Sequence, residues 1–370
     1  MRVCVDATPL LGSRTGVGRY VENLARELPA VGGADLELIA TAFTWRGLEG
    51  LVGALPPWVV PRGRKAPARV LQQLWSHVDW PPAELVSGDA DVFHGTNFVL
   101  PPARSAKGVV TIHDLSFLRT PHTVDAASLR YRRLVPRSVD RARVICTPSR
   151  SVAEEVATEY RISPDRIVVT PLGVDPLWSQ VDKPSVEWLA AHGMPETYLL
   201  FVGTLEPRKD LPTLLQAYRR LGSDLGTEVP PLVLVGPPGW GPALEMAGIV
   251  QGSVVTPGYL DDDELRPIIA GASALVLPSL YEGFGLPPLE AMASGTPVIV
   301  SDLPVFAEVL GDHARRFPVG DADALAAAII RTLADAGPTN SEARRAHAAT
   351  WTWRACAEAT YTAYLHAMAG

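Results

Sequence analysis

Cysteine is scarce in this sequence, and its scarcity argues against two kinds of stabilising site. The 370 residues include three cysteines, Cys4, Cys146 and Cys356, which are far apart and show no C-x-x-C spacing. We therefore expect neither a disulfide framework nor a cysteine-bound zinc, but three buried thiols in a reducing compartment. No apolar run is long enough for an ordinary membrane-spanning helix. The sequence starts on a strand-like run, Met1–Asp6, rather than a secretory signal, so we expect a cytoplasmic protein.

Charged and aromatic residues are also too few, or too scattered, for some partners. Charged residues make up 20% and aromatic residues 7% of the chain, and the basic residues lie on no aromatic-rich platform. Nucleic-acid binding is therefore not expected. The length and the 47% of hydrophobic residues are typical of a soluble globular protein with about two domains.

The stretch 274–290 predicts a buried strand, a glycine-bearing loop and a helix. The apolar run Ala274–Leu277 is short and is closed by Pro278, as in a buried parallel strand. Gly283 and Gly285 let the backbone approach a ligand closely, and the amides that open the next helix face the same way. This order of elements favours a site for an anionic ligand.

Two carboxylates, Glu282 and Glu290, lie on this loop and about one turn into the helix. Both can reach one bound molecule from two sides. Amides for phosphates and carboxylates for sugar hydroxyls together favour a ligand with a diphosphate and vicinal hydroxyls. Taken alone, the two glutamates are weak evidence, and a solvated first-turn glutamate beside a glycine loop that serves only as a turn is the favoured interpretation.

The whole string YEGFGLPPLEAMASGTPVIVSD closely resembles the signature of the retaining glycosyltransferases of family four. The resemblance implies the GT-B fold, an α/β architecture of two Rossmann-like domains whose parallel sheets face a central cleft. We expect an N-terminal acceptor-binding domain at 1–178, a nucleotide-sugar-binding domain at 195–350, and a C-terminal helix at 351–370 that crosses back to the first domain. The residues predicted to pack that helix are Trp353, Ala357 and Tyr361.

The pair Arg208-Lys209 precedes a predicted helix. Two cations there are unfavourable for the helix dipole and need an anionic partner, which a pyrophosphate would supply. Surface pairing with Glu206 and Asp210 is the alternative. The resemblance gives both cations to the donor phosphates, with Lys209 as the safer assignment. Because Thr204 stands where many family members have an arginine, either Arg208 carries more of that role or the site is less positive than usual.

The remaining site residues follow from the resemblance. It implies that Glu290 binds the ribose hydroxyls, that Glu282 holds a donor-sugar hydroxyl, and that the histidine of the H-D dipeptide, His113, contacts the donor. His94, at the end of another strand-like run, stays open between a structural group and an acceptor contact. The predicted catalytic residues are His113, Arg208, Lys209 and Glu282. The predicted donor-binding residues are Gly16, Gly18, Gly203, Thr204, Gly258, Tyr259, Leu260, Gly283, Phe284, Gly285, Leu286 and Glu290.

The segment 43–91 is the least regular part of the sequence. Tryptophan and arginine suit an acceptor-binding face or a membrane surface, so one interpretation is a peripheral contact with the inner face of the plasma membrane through residues 45–80. The other, which we favour, is a solvated loop with tryptophans packed beneath it. The residues concerned are Trp45, Trp58, Arg62, Arg64, Lys65, Arg69, Trp75 and Trp80.

Neither a metal nor another cofactor is expected. The D-x-D triplets are interpreted as helix caps or strand neighbours, and fixed positive charge from Arg208 and Lys209 would stabilise the departing diphosphate. Because no side chain is a clear nucleophile, we prefer front-face transfer, in which the leaving phosphate takes the acceptor's proton, to double displacement. The triplets are Asp89/Asp91, Asp261/Asp263 and Asp321/Asp323.

The sequence looks most like mannosyl- and related transferases that act on polysaccharide, glycolipid or natural-product acceptors. GDP-mannose is the expected donor, and a UDP-hexose is the alternative. A GT-B sugar-nucleotide epimerase, which would bind a UDP-linked N-acetylhexosamine and need no acceptor, is a further alternative. A non-catalytic sugar-nucleotide-binding module is the last, and the joint presence of His113, Lys209, Glu282 and Glu290 argues against it.

Overall fold

The computed structural model describes residues 1–12, 15–45, 48–225, 229–335 and 338–369. The chain divides into two compact α/β units. The first consists of Met1–Leu118, Ala126–Gly173 and Thr352–Gly370, and the second of Arg119–Asp125 and Val174–Trp351.

In the described residues of the first unit, seven strands form one parallel sheet. Its order is β3-β2-β1-β4-β5-β6-β7, the strand order of a doubly wound Rossmann fold with one added strand. The inner strands read as apolar runs because helices cover both faces of such a sheet. The strands are β1 Arg2–Asp6, β2 Glu37–Thr41, β3 Val60–Pro61, β4 Val92–Gly95, β5 Lys107–Thr111, β6 Val144–Thr147 and β7 Ile167–Val169.

The helices around this sheet include several short ones in the segment predicted to be irregular, where α2, α3 and α4 form. They are α1 Gly16–Gly32, α2 Leu48–Ala54, α3 Ala68–Trp75, α4 Glu84–Ser87, α5 Ser116–Arg119, α6 Tyr131–Arg141, α7 Arg150–Tyr160 and, from the end of the chain, α15 Trp353–Ala369.

Helix α15 belongs to the first unit and packs against α1. Trp353 and Ala357 are buried as predicted, but Tyr364 is fully buried in place of Tyr361. The difference of three residues leaves Tyr361 on the same side of the helix but farther from the core. Gly173 allows the close approach at the start of α15, because a Cβ there would overlap the backbone of Trp353.

The second unit repeats the same topology. Its described residues form six parallel strands in the order β10-β9-β8-β11-β12-β13, so the predicted pair of Rossmann-like parallel sheets is confirmed. The strands are β8 Leu199–Val202, β9 Leu232–Val235, β10 Val254–Gly258, β11 Ala274–Leu277, β12 Val298–Ser301 and β13 Arg315–Phe317. The helices are α8 Val186–Ala191, α9 Leu211–Leu225, α10 Asp262–Gly271, α11 Leu286–Ala293, α12 Pro304–Leu310, α13 Ala322–Ala334 and α14 Pro338–Ala348.

Two expectations about composition are met in these units. All three cysteines are buried and reduced, and burial raises the pKa of the Cys4 and Cys356 thiols to about 12. Across the described ranges, no helix combines the length and hydropathy that crossing a bilayer requires.

Candidate functional site

The centre of the candidate site lies where two neighbouring strands of the second sheet end. Strand β8 runs into Gly203 and then into a 3-10 turn, Pro207–Lys209, while β11 runs into Ser279 and Glu282. Because β8 and β11 are parallel neighbours, their carboxyl ends meet at one edge of the sheet, the usual ligand-binding edge of this fold. The amide of Leu280 donates to the carbonyl of Arg208 at 2.9 Å and ties the two loops together.

Four buried charges meet at this edge. Arg208 donates from one Nη to Glu206 at 2.6 Å and from the other to Glu282 at 2.8 Å and to the Tyr281 carbonyl at 2.9 Å. Lys209 Nζ lies 2.5 Å from the second oxygen of Glu282, and the Ser279 hydroxyl donates to that oxygen at 2.7 Å. The four charged side chains are between 7% and 17% exposed. Such charge-assisted bonds fix the two cations in place.

The charge state of Glu282 follows from these contacts. Burial raises the pKa of its carboxyl, but the charges of Arg208 and Lys209, with hydrogen bonds from Lys209 and Ser279, outweigh burial and bring the pKa to about 2. Glu282 is therefore ionised at neutral pH. With Glu206, it balances the two cations within the site.

This arrangement corrects two expectations. The alternative of surface pairing with Glu206 and Asp210 is right about one partner, since Arg208 pairs with Glu206. It is wrong about the surface, because Lys209 is buried and both cations also bind Glu282. The predicted role of Glu282, to hold a sugar hydroxyl, must also be widened. Its two carboxylate oxygens already accept from both cations, so a first function of Glu282 is to position them.

A layer of three glycines, Gly203, Gly236 and Gly258, lies at the carboxyl ends of strands β8, β9 and β10. Gly203 donates its amide to Val235, Gly236 donates its amide to Gly258 at 2.8 Å, and all three glycines have positive φ. A Cβ on Gly203 would lie 3.5 Å from the Cε of Lys209, and one on Gly236 would overlap the Gly203 carbonyl. Only glycine allows this packing. Sequence reasoning identified Gly203 and Gly258 but missed Gly236, although Val235-Gly236 repeats the pattern of Val202-Gly203.

The glycine loop before α11 is built as the sequence predicts. Gly285 has φ +101°, and a Cβ on it would lie 2.6 Å from the ring of Phe306. Pro287 and Pro288 occupy the first turn of α11, where no intrahelical bond is lost. Glu290 is 4% exposed one turn further on.

The other predicted donor-binding residues of this unit surround the same sheet edge. Phe284 is buried, and its ring meets Trp351 edge to face at 5.5 Å. Tyr259 is exposed directly after β10. Thr204 and Leu260 are half-buried and Gly283 is buried at loop positions, while Leu286 is buried as the first residue of α11.

His113 occupies the corresponding edge of the first unit, just beyond β5. Its Nε2 donates to the carbonyl of Thr96 at 2.8 Å, which leaves Nδ1 as the acceptor of the neutral ring. Burial lowers the pKa of His113. Tyr20 and Phe98 hold the ring edge to face, with centroids 5.2 and 5.6 Å away. Asp114 accepts from the Ser116 amide at 2.8 Å and so caps the turn that follows it.

His94 is structural, so the acceptor contact left open for it is wrong. It is 0% exposed inside β4. Its ring bonds Tyr364 of α15 and Thr111 of β5, both at 2.8 Å, and Thr111 in turn bonds Tyr20. Burial lowers its pKa to about 3, so the ring stays neutral.

The N-terminal glycines differ from expectation in one position. Gly16 is exposed at the start of α1, but Gly18 is buried, and its amide donates to the N-cap side chain of Thr15 at 3.2 Å. The prediction that Gly18 offers an amide to the donor is therefore wrong. Capping uses that amide within the helix, and the missing Cβ allows close packing on the Pro9 carbonyl.

The tryptophans of residues 45–80 also differ from expectation. Trp75 alone is packed, at 1% exposure, while Trp45, Trp58 and Trp80 are 64%, 56% and 59% exposed. The favoured interpretation of a loop covering buried tryptophans is thus wrong for these three. Of this segment, Arg46 and Gly47 lie outside the described residues.

Two of the D-x-D triplets cap helices. Asp261 and Glu264 form a capping box at the start of α10, and Asp321 accepts from the Ala324 amide at the start of α13. The described residues include no group of three or more His, Cys, Asp or Glu placed to hold a metal.

Comparisons with known proteins agree with this architecture. Residues 14–177 match the family described as Glycosyltransferase Family 4, and residues 196–335 match Glycosyl transferases group 1. The O-antigen chain mannosyltransferase B of Escherichia coli is 34% identical over an alignment that covers 74% of each protein. The MMP alpha-(1->4)-mannosyltransferase of Mycolicibacterium hassiacum is 26% identical over 96% of this chain and 95% of that protein.

Among solved structures, sucrose-phosphate synthase from Thermosynechococcus elongatus has a TM-score of 0.73 at 22% identity, covering 100% of this chain and 99% of that one. At this level of identity, the similarity to that structure shows a shared fold only. With the two Rossmann-like sheets and the relatives above, the chain is a GT-B glycosyltransferase. It belongs to the family-four glycosyltransferases and resembles the mannosyltransferases among them.

Proposed function

We propose that the protein transfers mannose from GDP-mannose to a glycan, lipid-linked or small-molecule acceptor, with retention at the anomeric carbon and without a metal. The observation that carries the proposal is the buried pair Arg208-Lys209, held by Glu206 and Glu282 at the ligand-binding edge of the second sheet. The mannosyltransferase names of the two relatives favour mannose as the sugar.

The fixed cations support diphosphate stabilisation. Lys209 has three N–H donors, of which the described contacts use one, to Glu282. The others are available to the departing phosphate, where preorganised donors are worth about 3 kcal/mol each in a site sheltered from water. Because the carboxylates hold both cations before the ligand arrives, no reorganisation is needed at the moment of reaction.

The remaining residues take roles that fit their surroundings. Glu290, buried one turn into α11, binds the ribose hydroxyls of the donor, and the amides around Gly283 and Gly285 face its phosphates. His113, neutral and fixed through Nε2, offers Nδ1 to a sugar hydroxyl. The leaving phosphate then takes the acceptor's proton, so that the glycosidic bond forms on the face from which the diphosphate departs.

Calorimetric titration tests the donor. We expect GDP to bind wild type more tightly than UDP, ADP or dTDP, and Glu290→Ala to weaken it at least tenfold. Glu342→Ala, which removes an exposed glutamate, is the matched control. If UDP binds more tightly than GDP, the donor is a UDP-sugar and not GDP-mannose, while the glycosyltransferase assignment is unaffected. Equal binding by Glu290→Ala and wild type would remove the ribose role.

Product analysis tests the reaction itself. With GDP-mannose and an accepted glycan, nuclear magnetic resonance should show an α-mannoside, and EDTA should leave the rate unchanged. A β-mannoside would contradict retention, and loss of activity in EDTA that Mg²⁺ restores would contradict metal independence.

We also infer a peripheral membrane contact through residues 45–80. Three exposed tryptophans suit the interfacial zone of a bilayer, with Arg62, Arg64, Lys65 and Arg69 for anionic headgroups. In vesicle flotation, replacing Trp45, Trp58 and Trp80 by serine should abolish binding. The control is serine at Val186, Val250 and Leu365, which are similarly exposed, and equal loss in both would contradict the inference.

A further inference from the structure

A groove in the first unit carries four arginines. It has a volume of about 420 Å³ and lies between α3 and the start of α6. No acidic residue lines it. Its lining consists of Arg69, Gln72, Gln73, Ser76, Leu129, Arg130, Arg132, Arg133 and Leu134.

The charges of these arginines are not neutralised within the described part of the chain. Arg69, Arg130 and Arg133 are exposed and form no ion pair there, and Arg132 donates from Nε to the Phe117 carbonyl at 2.9 Å. The next two arginines along α6, Arg137 and Arg141, do form ion pairs.

Arg137 and Arg141 both bind Asp79, at 3.0 and 2.5 Å. Arg137 and Arg141 thus share one carboxylate, whereas the four groove arginines have no carboxylate partner among the described residues. Like charges gathered in one groove repel each other, and an anion that they share relieves the repulsion.

Guanidinium groups match one class of anion especially well. Each presents planar paired donors that fit phosphate oxygens, and several converging on one groove favour a group with many oxygens over a single carboxylate. We propose that this groove binds a phosphate or diphosphate group carried by the acceptor. The inference rests on the proposed transferase function and concerns a site separate from Arg208 and Lys209.

A neighbouring cavity gives the acceptor's sugar a place. It has a volume of about 100 Å³ and is lined by Asp6, Asn97 and Tyr131, at the ends of β1 and β4 and the start of α6. Gln72 lines both the cavity and the groove. Its Oε1 is buried and accepts no hydrogen bond from the described residues. A sugar hydroxyl would satisfy that oxygen while the phosphate lies among the arginines.

Titration with inorganic pyrophosphate at low salt tests the groove. Because the donor site is also expected to take a diphosphate, the comparison is made on Lys209→Met, in which adding Arg130→Gln/Arg133→Gln should weaken pyrophosphate binding at least tenfold. Arg104→Gln/Arg331→Gln, which removes two exposed charges elsewhere, should bind within twofold of wild type. Lys209→Met separates the two phosphate sites, and groove binding should persist in it. Unchanged pyrophosphate affinity after the groove substitutions are added to Lys209→Met, or loss of all pyrophosphate binding in Lys209→Met alone, overturns the proposal.

One further measurement identifies whether the phosphate belongs to a lipid or to a soluble molecule. A second distinguishes failure of the groove proposal from failure of the donor-site assignment. Flotation with phosphatidylcholine vesicles, with and without phosphatidylglycerol, distinguishes a lipid headgroup from a soluble phosphorylated acceptor. Either source supports the groove if the groove variant abolishes binding, and binding of neither pyrophosphate nor anionic vesicles overturns it. GDP binding should be unchanged in the groove variant, so failure of the donor assignment appears separately as absent GDP binding in wild type.

Discussion

Lys209 and Glu282 lie 73 positions apart in the sequence but share a hydrogen bond of 2.5 Å, with Nζ donating to the carboxylate. The same carboxylate accepts from Arg208 through its other oxygen. One acidic side chain thus fixes both cations of the proposed phosphate site. Its removal is expected to affect stability and chemistry together.

Replacement of Lys209 by methionine should lower catalytic activity without disturbing the fold. The methionine keeps much of the apolar stem beside Gly203, and Glu282 keeps its bond to Arg208, so the fold should persist. We expect kcat to fall by about 10²- to 10³-fold, the effect of losing one preorganised donor, while the circular dichroism spectrum is unchanged. Lys183→Met, at an exposed position outside the proposed sites, is the control. Equal activity in Lys209→Met and wild type would remove Lys209 from the mechanism.

Glu282→Gln should change the pH dependence of stability. The folded pKa of about 2 lies below the ordinary value of 4.5, so ionised Glu282 stabilises the folded state above pH 4.5, and this contribution is lost as the pH falls toward 2. The shift corresponds to about 3 kcal/mol at neutral pH. The thermal midpoint of the variant should lie below that of wild type at pH 7, and the gap should narrow steadily below pH 4.5. A gap independent of pH would show that the carboxylate is not held as described.

His94→Phe should destabilise the first unit without altering the donor site. It leaves the buried hydroxyl of Tyr364 without its partner, at a cost of about 2 kcal/mol. In a cycle with Tyr364→Phe, the double variant should lose less than the sum of the two single variants, because both remove the same hydrogen bond. Thermal denaturation measures all four proteins. Strict additivity would exclude the coupling, and GDP affinity should stay within twofold of wild type throughout.

Gly236→Ala should disturb the proposed donor site through the backbone. The new methyl group would overlap the Gly203 carbonyl, and φ +145° is unfavourable for alanine. Because Gly203 packs beside Lys209, we expect both a lower thermal midpoint and weaker GDP binding. Gly222→Ala is the control, since open space surrounds that helical glycine, and alanine there should be neutral or stabilising. Unchanged GDP binding in Gly236→Ala would separate the glycine layer from the site.

Local sequence signals account for much of this fold. The apolar run Ala274–Leu277 and the proline that closes it predict strand β11. The two prolines Pro287 and Pro288 predict the start of helix α11. Parallel strands of this kind are buried on both faces, so their hydrophobicity is visible without any tertiary information.

Side-chain partners were harder to foresee. The pairing of Glu282 with Arg208 and Lys209 depends on β8 and β11 lying side by side, which no local pattern specifies. The exposure of Trp58 depends likewise on the surrounding chain, whereas the use of the Gly18 amide by the N-cap Thr15 is local and could have been foreseen. The tryptophan content of a segment indicates apolar area but not which face it covers.

The return of α15 to the first unit has a consequence for synthesis on the ribosome. The helix completes the buried Tyr364–His94 contact and covers α1, but it is translated only after the whole second unit. The first sheet can therefore assemble early while the apolar face of α1 stays uncovered. Chaperone attachment to the nascent chain should persist until Trp353–Ala369 has left the exit tunnel.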